Sequence, residues 1–185
     1  MTLPTEIAVF KSVATRLDKS RIPYMLSGSV AGNFYGHPRM TRDIDIVIEI
    51  GEERVTRLLE LFRDDFYIDA DMVYEAVRDE GMFNIIHLEE IIKIDFIVRK
   101  NTPYRILEFQ RRIRRQLGDF AFWIVSAEDL ILSKLLWARD SRSELQLRDV
   151  ADIIRNVGEQ VDWGYLKHWA TELGVEDLLG GLNHE

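Results

Sequence analysis

The stretch Asp43-Ile44-Asp45-Ile46-Val47-Ile48-Glu49-Ile50 decides the fold, because polar and apolar residues alternate in it with the period of a β-strand. Its isoleucines would line one face of the strand, and Asp43 and Asp45 would lie on the opposite face. Two carboxylates at alternate positions of a strand point to the same side. They could therefore bind one divalent cation together.

A glycine-serine turn precedes this strand, with thirteen residues between the two. Tyr24-Met25-Leu26 is typical of a short strand that enters the turn Ser27-Gly28-Ser29, and a helix is expected over residues 30–35. Glycine lets the backbone approach a phosphate closely, and a helix N-terminus offers free amides and a partial positive charge. The turn predicts a phosphate site in which Gly28 and the Ser29 hydroxyl contact the ligand. An ordinary serine-capped turn is the alternative.

A third acid, Asp95, lies in the apolar run Ile91-Ile92-Lys93-Ile94-Asp95-Phe96-Ile97-Val98, which indicates a buried or half-buried strand. A buried carboxylate is costly unless it is paired or bound to a metal. The alternative to a metal is a salt bridge to Lys93, Arg99 or Arg42. Taken with the turn, the three acids favour a metal site. We expect Mg²⁺ as the cofactor, with two ions in the site and Mn²⁺ as a substitute.

The remaining pattern indicates an α+β core followed by a helical C-terminal tail. Helical spacing or capping signals predict helices over residues 4–19, 52–63, 71–78, 126–139, 145–157 and 162–173. Strands are predicted over residues 83–88, 91–98 and 120–125, the first two as an antiparallel pair. The segment 104–125 is ambiguous, although its arginine-rich piece could pair with 120–125. We expect a core domain over residues 1–126 and a helical region packed on it over residues 127–185.

Composition excludes several classes of protein. The 185 residues include no cysteine, so neither disulfides nor thiolate metal sites occur. No run approaches the ~20 apolar residues of a membrane helix, and the first residues lack a signal-peptide block. We therefore expect a cytoplasmic protein with no membrane partner. The formal net charge of −8 disfavours extensive binding to nucleic acid. A basic patch at residues 111–115 is either a solvated face or a rim for phosphate or acceptor.

The Gly-Ser turn, the Asp-hydrophobic-Asp pair and Asp95 resemble the polymerase-beta-type nucleotidyltransferase superfamily. More narrowly, Thr41-Arg42-Asp43-Ile44-Asp45 and Glu128-Asp129-Leu130-Ile131-Leu132-Ser133-Lys134 resemble small bacterial nucleotidyltransferases of the abortive-infection, type IV toxin kind. The resemblance covers residues 20–155. It implies a mixed, mostly antiparallel sheet flanked by helices. It also implies that the three aspartates form the catalytic metal triad, with Asp95 nearest the acceptor hydroxyl.

The resemblance implies further nucleotide-binding residues. In such proteins a lysine on the helix after the core contacts the triphosphate, and Lys134 occupies the matching place. Asp149 or Asp152 would be the tail acid near the site. Arg42, directly before the first aspartate, could reach a phosphate or neutralise the acids. The alternatives are a Lys134 that is simply exposed on its helix and an Asp152 that pairs with an arginine on its own helix.

These residues predict an enzyme that depends on Mg²⁺ and moves a nucleoside monophosphate from a nucleoside triphosphate, ATP among them, to a hydroxyl acceptor. Pyrophosphate would be released. The acceptor could be a small molecule, a protein or the end of a tRNA. The alternative is a non-catalytic module that binds a nucleotide for regulation, or a component of a toxin–antitoxin pair. The presence of all three acids counts against that alternative.

Overall fold

The computed structural model describes residues 4–41 and 43–182, and these residues form two compact units. The first unit contains residues 4–30, 40–41 and 43–124, and the second contains residues 31–39 and 125–182. The first unit is built on a β-sheet, and the second is built mainly from helices. Residues 31–39 therefore group with the C-terminal helices, although most of the sheet follows them in the sequence.

The described residues form the following helices and strands. The helices are α1 (Thr5–Lys19), α2 (Gly28–Gly32), α3 (Val55–Phe62), α4 (Ala70–Arg78), α5 (Pro103–Gln110), α6 (Ala127–Ser141), α7 (Glu144–Val157), α8 (Trp163–Glu172) and α9 (Glu176–Leu182). The strands are β1 (Tyr24–Ser27), β2 (Asp43–Ile48), β3 (Phe66–Tyr67), β4 (Met82–His87), β5 (Lys93–Val98), β6 (Ile113–Leu117) and β7 (Phe120–Ile124). Short 3-10 turns cover Glu52–Arg54 and Gly158–Gln160.

Within the described residues, the strands form one seven-stranded sheet in the order β3-β4-β5-β2-β1-β7-β6. The pairs β2·β5 and β1·β7 are parallel, and the other four neighbouring pairs are antiparallel. The predicted mixed, mostly antiparallel sheet with a helical C-terminal tail is therefore confirmed. The predicted pairings of β4 with β5 and of β6 with β7 are also confirmed.

The strand register sends successive rows of side chains at the centre of the sheet to opposite faces. Ile46 and Phe96 are opposite each other on β2 and β5, so both side chains point to the same side. On that side α3 packs through Phe62, whose ring centroid lies 6.0 Å from that of Phe96. On β7, Phe122 packs edge-on against Phe10 of α1 at 5.3 Å. One neighbouring row points to the other side of the sheet and is polar, and that side is called the polar face below, although Val47 and Ile97 also lie on it. The polar row consists of Ser27, Asp45 and Asp95 on β1, β2 and β5.

The structure differs from the sequence-based prediction in a few elements. β3, α5 and α9 were not predicted. The helix after the glycine-serine turn covers Gly28–Gly32 instead of residues 30–35. After Gly32 the chain forms a turn, in which the Gly32 carbonyl accepts hydrogen bonds from the amides of Tyr35 and Gly36.

The N-terminus of α6 has the predicted capping arrangement. Ser126 Oγ accepts a hydrogen bond from the Asp129 amide at 3.2 Å and donates one to Asp129 Oδ2 at 2.7 Å. The Tyr165 hydroxyl donates to Asp129 Oδ1 at 2.6 Å. The Asp129 side chain is fully buried, so these hydrogen bonds compensate for the loss of its hydration.

Replacing the cap should weaken the second unit measurably. We expect Ser126→Ala to lower the free energy of unfolding by about 1–3 kcal/mol, because it removes both a helix cap and a partner of a buried carboxylate. Ser143→Ala is the matched control, since Ser143 stands at the N-cap of α7 without a side-chain capping hydrogen bond. Its effect should stay within about 0.5 kcal/mol. Urea denaturation monitored by circular dichroism measures the free energy of unfolding of both variants. Equal losses of this free energy in the two variants would contradict the role of Ser126.

Candidate active site

The three predicted acids lie on two neighbouring parallel strands. In the register of β2 and β5, Asp45 lies opposite Asp95 and Asp43 lies opposite Lys93. Residues opposite each other project to the same face of a sheet, on strands about 4.8 Å apart. The structure therefore brings Asp43, Asp45 and Asp95 together on the polar face of the first unit.

Lys93 is a charged partner of Asp43 and Asp95. Its Nζ donates a hydrogen bond to Asp95 Oδ2 at 2.8 Å and lies 3.7 Å from Asp43 Oδ2. The Asp95 side chain is only 11% exposed, so this contact compensates a nearly buried charge. The hydrogen bond to Asp95 raises the pKa of Lys93, and the negative charges of Asp95, Asp43 and Asp45 raise that pKa further. From the sequence alone, Lys93 is one of three possible salt-bridge partners of Asp95 in place of a metal.

The polar row continues on both sides of the aspartates. Ser27 of β1 lies opposite Asp45, and Asn84 of β4 lies opposite Asp95. Asn84 is half-buried, and the sequence analysis missed it. The available signal was a lone amide in the otherwise apolar strand Phe83-Asn84-Ile85-Ile86, the same kind of anomaly that identified Asp95.

Gly28 brings the main chain of the glycine-serine turn against Asp45. Its φ of +62° lies in the left-handed region, which suits glycine. A Cβ atom added at Gly28 would lie 1.8 Å from Asp45 Oδ2, so only glycine leaves room for the carboxylate. Ser29, the next residue, is half-buried at the start of α2. The turn and the carboxylates therefore share one corner of the sheet.

The donor chemistry of this corner fits a hard divalent cation, because carboxylate oxygens are the ligands that Mg²⁺ prefers. The backbone placement fits as well, since Asp45 and Asp95 lie side by side on rigid strands. In this structure the Asp43 and Asp95 side chains contact the Lys93 ammonium. Within residues 4–41 and 43–182, no three His, Cys, Asp or Glu side chains are arranged so that they could hold a metal ion together.

In the second unit, Lys134 and Asp149 form the centre of a buried polar network. The Lys134 side chain is 3% exposed, and its Nζ donates to Asp149 Oδ2 at 2.7 Å and to Gln146 Oε1 at 3.0 Å. Arg39 donates to both oxygens of the same carboxylate, at 3.3 and 3.2 Å. Burial acts to raise the pKa of Asp149, but the hydrogen bonds from Lys134 and Arg39 outweigh it, so the pKa is lowered. Lys134 is therefore buried rather than exposed on its helix.

The remaining predicted nucleotide-binding residues have separate surroundings. Asp152 accepts a hydrogen bond from Arg155 at 2.7 Å on the same helix, and His37 Nδ1 lies 3.9 Å from it. This is the arginine pairing that the sequence analysis gave as the alternative for Asp152. Arg42 lies outside the described residues. The nucleotide-binding roles of these residues, and of Lys134 and Asp149, stay predictions.

The comparison with protein families gives the class of this chain. Residues 6–177 match the model of the family described as "nucleotidyltransferase of unknown function (DUF6036)". The chain belongs to this family and is a nucleotidyltransferase. The predicted superfamily and enzyme class are thus confirmed, whereas the abortive-infection or toxin subtype stays a prediction.

Solved structures with low sequence identity share the fold. An antigenic nucleotidyltransferase-like protein from Paracoccidioides brasiliensis is 18% identical, with a TM-score of 0.59, 80% of this chain covered and 74% of that one. The antibiotic-resistance factor ANT(2'')-Ia is 14% identical, with a TM-score of 0.59 and 98% of each chain covered. The lincomycin-bound lincosamide antibiotic adenylyltransferase LnuA is 12% identical, with a TM-score of 0.52, 83% of this chain covered and 98% of that one. At these identities the similarity shows the fold alone.

Two further searches gave a negative result, one among curated proteins and one among the described helices of this chain. No protein with a curated description matches the chain. In the part of the chain that the structure describes, no helix is both long enough and apolar enough to cross a membrane. The cytoplasmic location stays a prediction.

The contact between Gly28 and Asp45 can be tested by adding one methyl group. Gly118→Ala is the matched control, because Gly118 has a φ of +60° but no atom within 4 Å of its added Cβ. The control should lose about 1–2 kcal/mol of unfolding free energy through its left-handed backbone alone. Gly28→Ala should lose roughly 1–3 kcal/mol more, because the new methyl group must displace Asp45. Urea denaturation compares the two, and equal losses would mean that Asp45 does not fill this space.

The network around Asp149 predicts a pH-dependent stability. The ordinary pKa of 3.8 is lowered in the folded protein, so the contribution of Asp149 is complete above that value and is lost as pH falls below it. Asp149→Asn should therefore cost roughly 1–3 kcal/mol at pH 7 and progressively less below about pH 4. Urea midpoints at pH 7, 5 and 3 measure the difference from the wild type. A loss that stays constant down to pH 3 would refute this assignment.

Proposed function

We propose that the protein transfers a nucleoside monophosphate from a nucleoside triphosphate to a hydroxyl group, with Mg²⁺ as cofactor and pyrophosphate as the second product. One observation carries the proposal: Asp45 and Asp95 lie opposite each other on parallel strands, with Asp43 on the same face and the Gly28 turn beside them. Membership of a nucleotidyltransferase family supports it.

In this proposal Asp43, Asp45 and Asp95 would hold the cation. When bound, Mg²⁺ would supply the positive charge that stabilises the attacking and leaving oxygens. Asp95 would take the proton of the acceptor hydroxyl. The hydroxyl oxygen of the acceptor would form a bond to the α-phosphorus. The bond between the α-phosphorus and the oxygen that bridges it to the β-phosphate would break, and pyrophosphate would leave with the electron pair of that bond. Gly28 and Ser29 would bind the departing phosphates through main-chain amides and the serine hydroxyl.

A small molecule with a free hydroxyl is the acceptor class that we propose. Two proteins with this fold, ANT(2'')-Ia and LnuA, are named an antibiotic-resistance factor and a lincosamide antibiotic adenylyltransferase. The net charge of −8 disfavours a large RNA, whose binding depends on many basic contacts to phosphates. A protein hydroxyl and a tRNA end are the other acceptors to compare in the assay.

Loss of one carboxylate should abolish transfer without unfolding the protein. We expect Asp45→Asn to reduce transfer at least about 100-fold, since even residues that only support metal ligands cost 10- to 100-fold. Asp119→Asn is the matched control, because Asp119 is an exposed acid of the same unit that pairs with Lys11. The control should retain wild-type transfer.

The assay uses α-labelled ATP, CTP, GTP and UTP with Mg²⁺ and a panel of hydroxyl-bearing antibiotics, total protein and total tRNA. Labelled acceptor and pyrophosphate are measured together, with EDTA as a further control. Full transfer by Asp45→Asn, or transfer that persists in EDTA, would refute the proposed site. Tight nucleotide binding by the wild type without any product would instead favour the regulatory nucleotide-binding module.

A further inference from the structure

Lys93 has a position that its strand dictates. It is the first residue of β5 and lies two residues before Asp95, so both side chains point to the same face. The parallel register puts Asp43 directly opposite Lys93 on β2. One ammonium group thus reaches both strands, at 2.8 Å from an oxygen of Asp95 and 3.7 Å from an oxygen of Asp43.

The carboxylates need such a cation. Three acids on adjacent strands repel one another, and the repulsion is strongest at Asp95, whose side chain is nearly buried. Breaking a buried ion pair by removing one partner leaves an uncompensated charge, which is the costly case. Lys93 supplies one positive charge to this group, whereas a divalent cation at the same oxygens would supply two.

We propose that Lys93 is a tethered counter-ion: it holds Asp43 and Asp95 together before the metal arrives, and the metal displaces it. The inference rests on the proposed function, because it takes the aspartates as the ligands of the cation. Lys93 is then a positioning residue that acts through the carboxylates. Its effect is to keep the metal site folded when empty and to set the concentration of metal needed to fill it.

The Lys93 side chain is free enough to make this exchange. It is 38% exposed, and its four-carbon stem lets the ammonium swing into water while the backbone stays in the strand. The strands themselves do not have to move, since Asp45 and Asp95 are already side by side. To bind, a metal ion therefore has to displace only the Lys93 side chain, and the backbone of the two strands stays in place.

The test compares three variants of the full chain. Lys93→Met removes the charge and keeps a linear apolar stem, whereas Lys93→Arg keeps a positive charge. Lys11→Met is the matched control, because Lys11 forms a 2.8 Å salt bridge with Asp119 in the same unit and is similarly exposed, at 34%. Two quantities are measured without nucleotide: Mn²⁺ affinity by isothermal titration calorimetry, and the thermal unfolding midpoint in EDTA and in Mn²⁺.

We expect Lys93→Met to bind Mn²⁺ about tenfold more tightly than the wild type, since a charge-assisted hydrogen bond no longer competes. In EDTA its unfolding midpoint should fall by roughly 3–6 °C, because the carboxylates lose their counter-ion, and Mn²⁺ should restore it. Lys93→Arg and Lys11→Met should bind Mn²⁺ within about twofold of the wild type.

A further variant separates repulsion from general damage to the fold. The double variant Lys93→Met/Asp95→Asn removes both partners, and its midpoint in EDTA should return toward that of the wild type. A Lys93→Met protein that folds only when Mn²⁺ is present supports the inference as well. If the double variant is as unstable as Lys93→Met alone, the counter-ion role is wrong.

The outcomes distinguish this inference from the proposed function. If the wild type binds Mn²⁺ and transfers nucleotide while Lys93→Met binds Mn²⁺ equally or more weakly, the inference fails and the proposed function stands. A weaker affinity would mean that Lys93 assists the bound cation or its phosphates. If neither protein binds Mn²⁺ and the wild type transfers no nucleotide, both fail. If only Lys93→Met binds Mn²⁺, the inference is supported and the wild-type site is held closed by its lysine.

Discussion

Two carboxylates that face each other on neighbouring strands, Asp45 and Asp95, impose an electrostatic constraint on the centre of this sheet. Like charges opposite each other destabilise a sheet, and the near burial of Asp95 increases the cost. Such an arrangement requires positive charge nearby, and the Lys93 ammonium provides it at Asp95. Such a cost in the middle of a sheet marks the place as a candidate functional site.

Other features of the first unit compensate for the destabilising effect of these neighbouring charges. The opposite face carries Ile46 and Phe96, and α3 packs on that face through Phe62, so the apolar side of the sheet supplies the stability. Gly28 has no side chain where one would collide with Asp45, and this permits the turn to approach the carboxylate. Strand alternation separates the two roles cleanly, because neighbouring residues of one strand face opposite sides.

Much of this could be predicted from the sequence, since alternation along a single strand is a local signal. It assigned Asp43 and Asp45 to one face and identified Asp95 as an anomaly in an apolar run. It could not show that β2 and β5 are parallel neighbours, because strand pairing joins distant segments. It also left three basic residues as partners of Asp95. In the structure Asp95 contacts Lys93 of its own strand, Arg99 binds Glu49 at 2.7 Å, and Arg42 lies outside the described residues. The missed helix α5 had a start signal in Thr102-Pro103, whereas the two-residue strand β3 is too short to show a period.

The most direct measurement is a crystal structure with Mn²⁺ and a non-hydrolysable nucleoside triphosphate, read from the anomalous signal of the metal. We expect a manganese peak in contact with the carboxylates of both Asp45 and Asp95, phosphates beside Gly28, and a Lys93 ammonium that has left Asp95. A metal bound elsewhere on the protein, or a nucleotide seated away from the polar face while Lys93 still bonds Asp95, would refute this metal site.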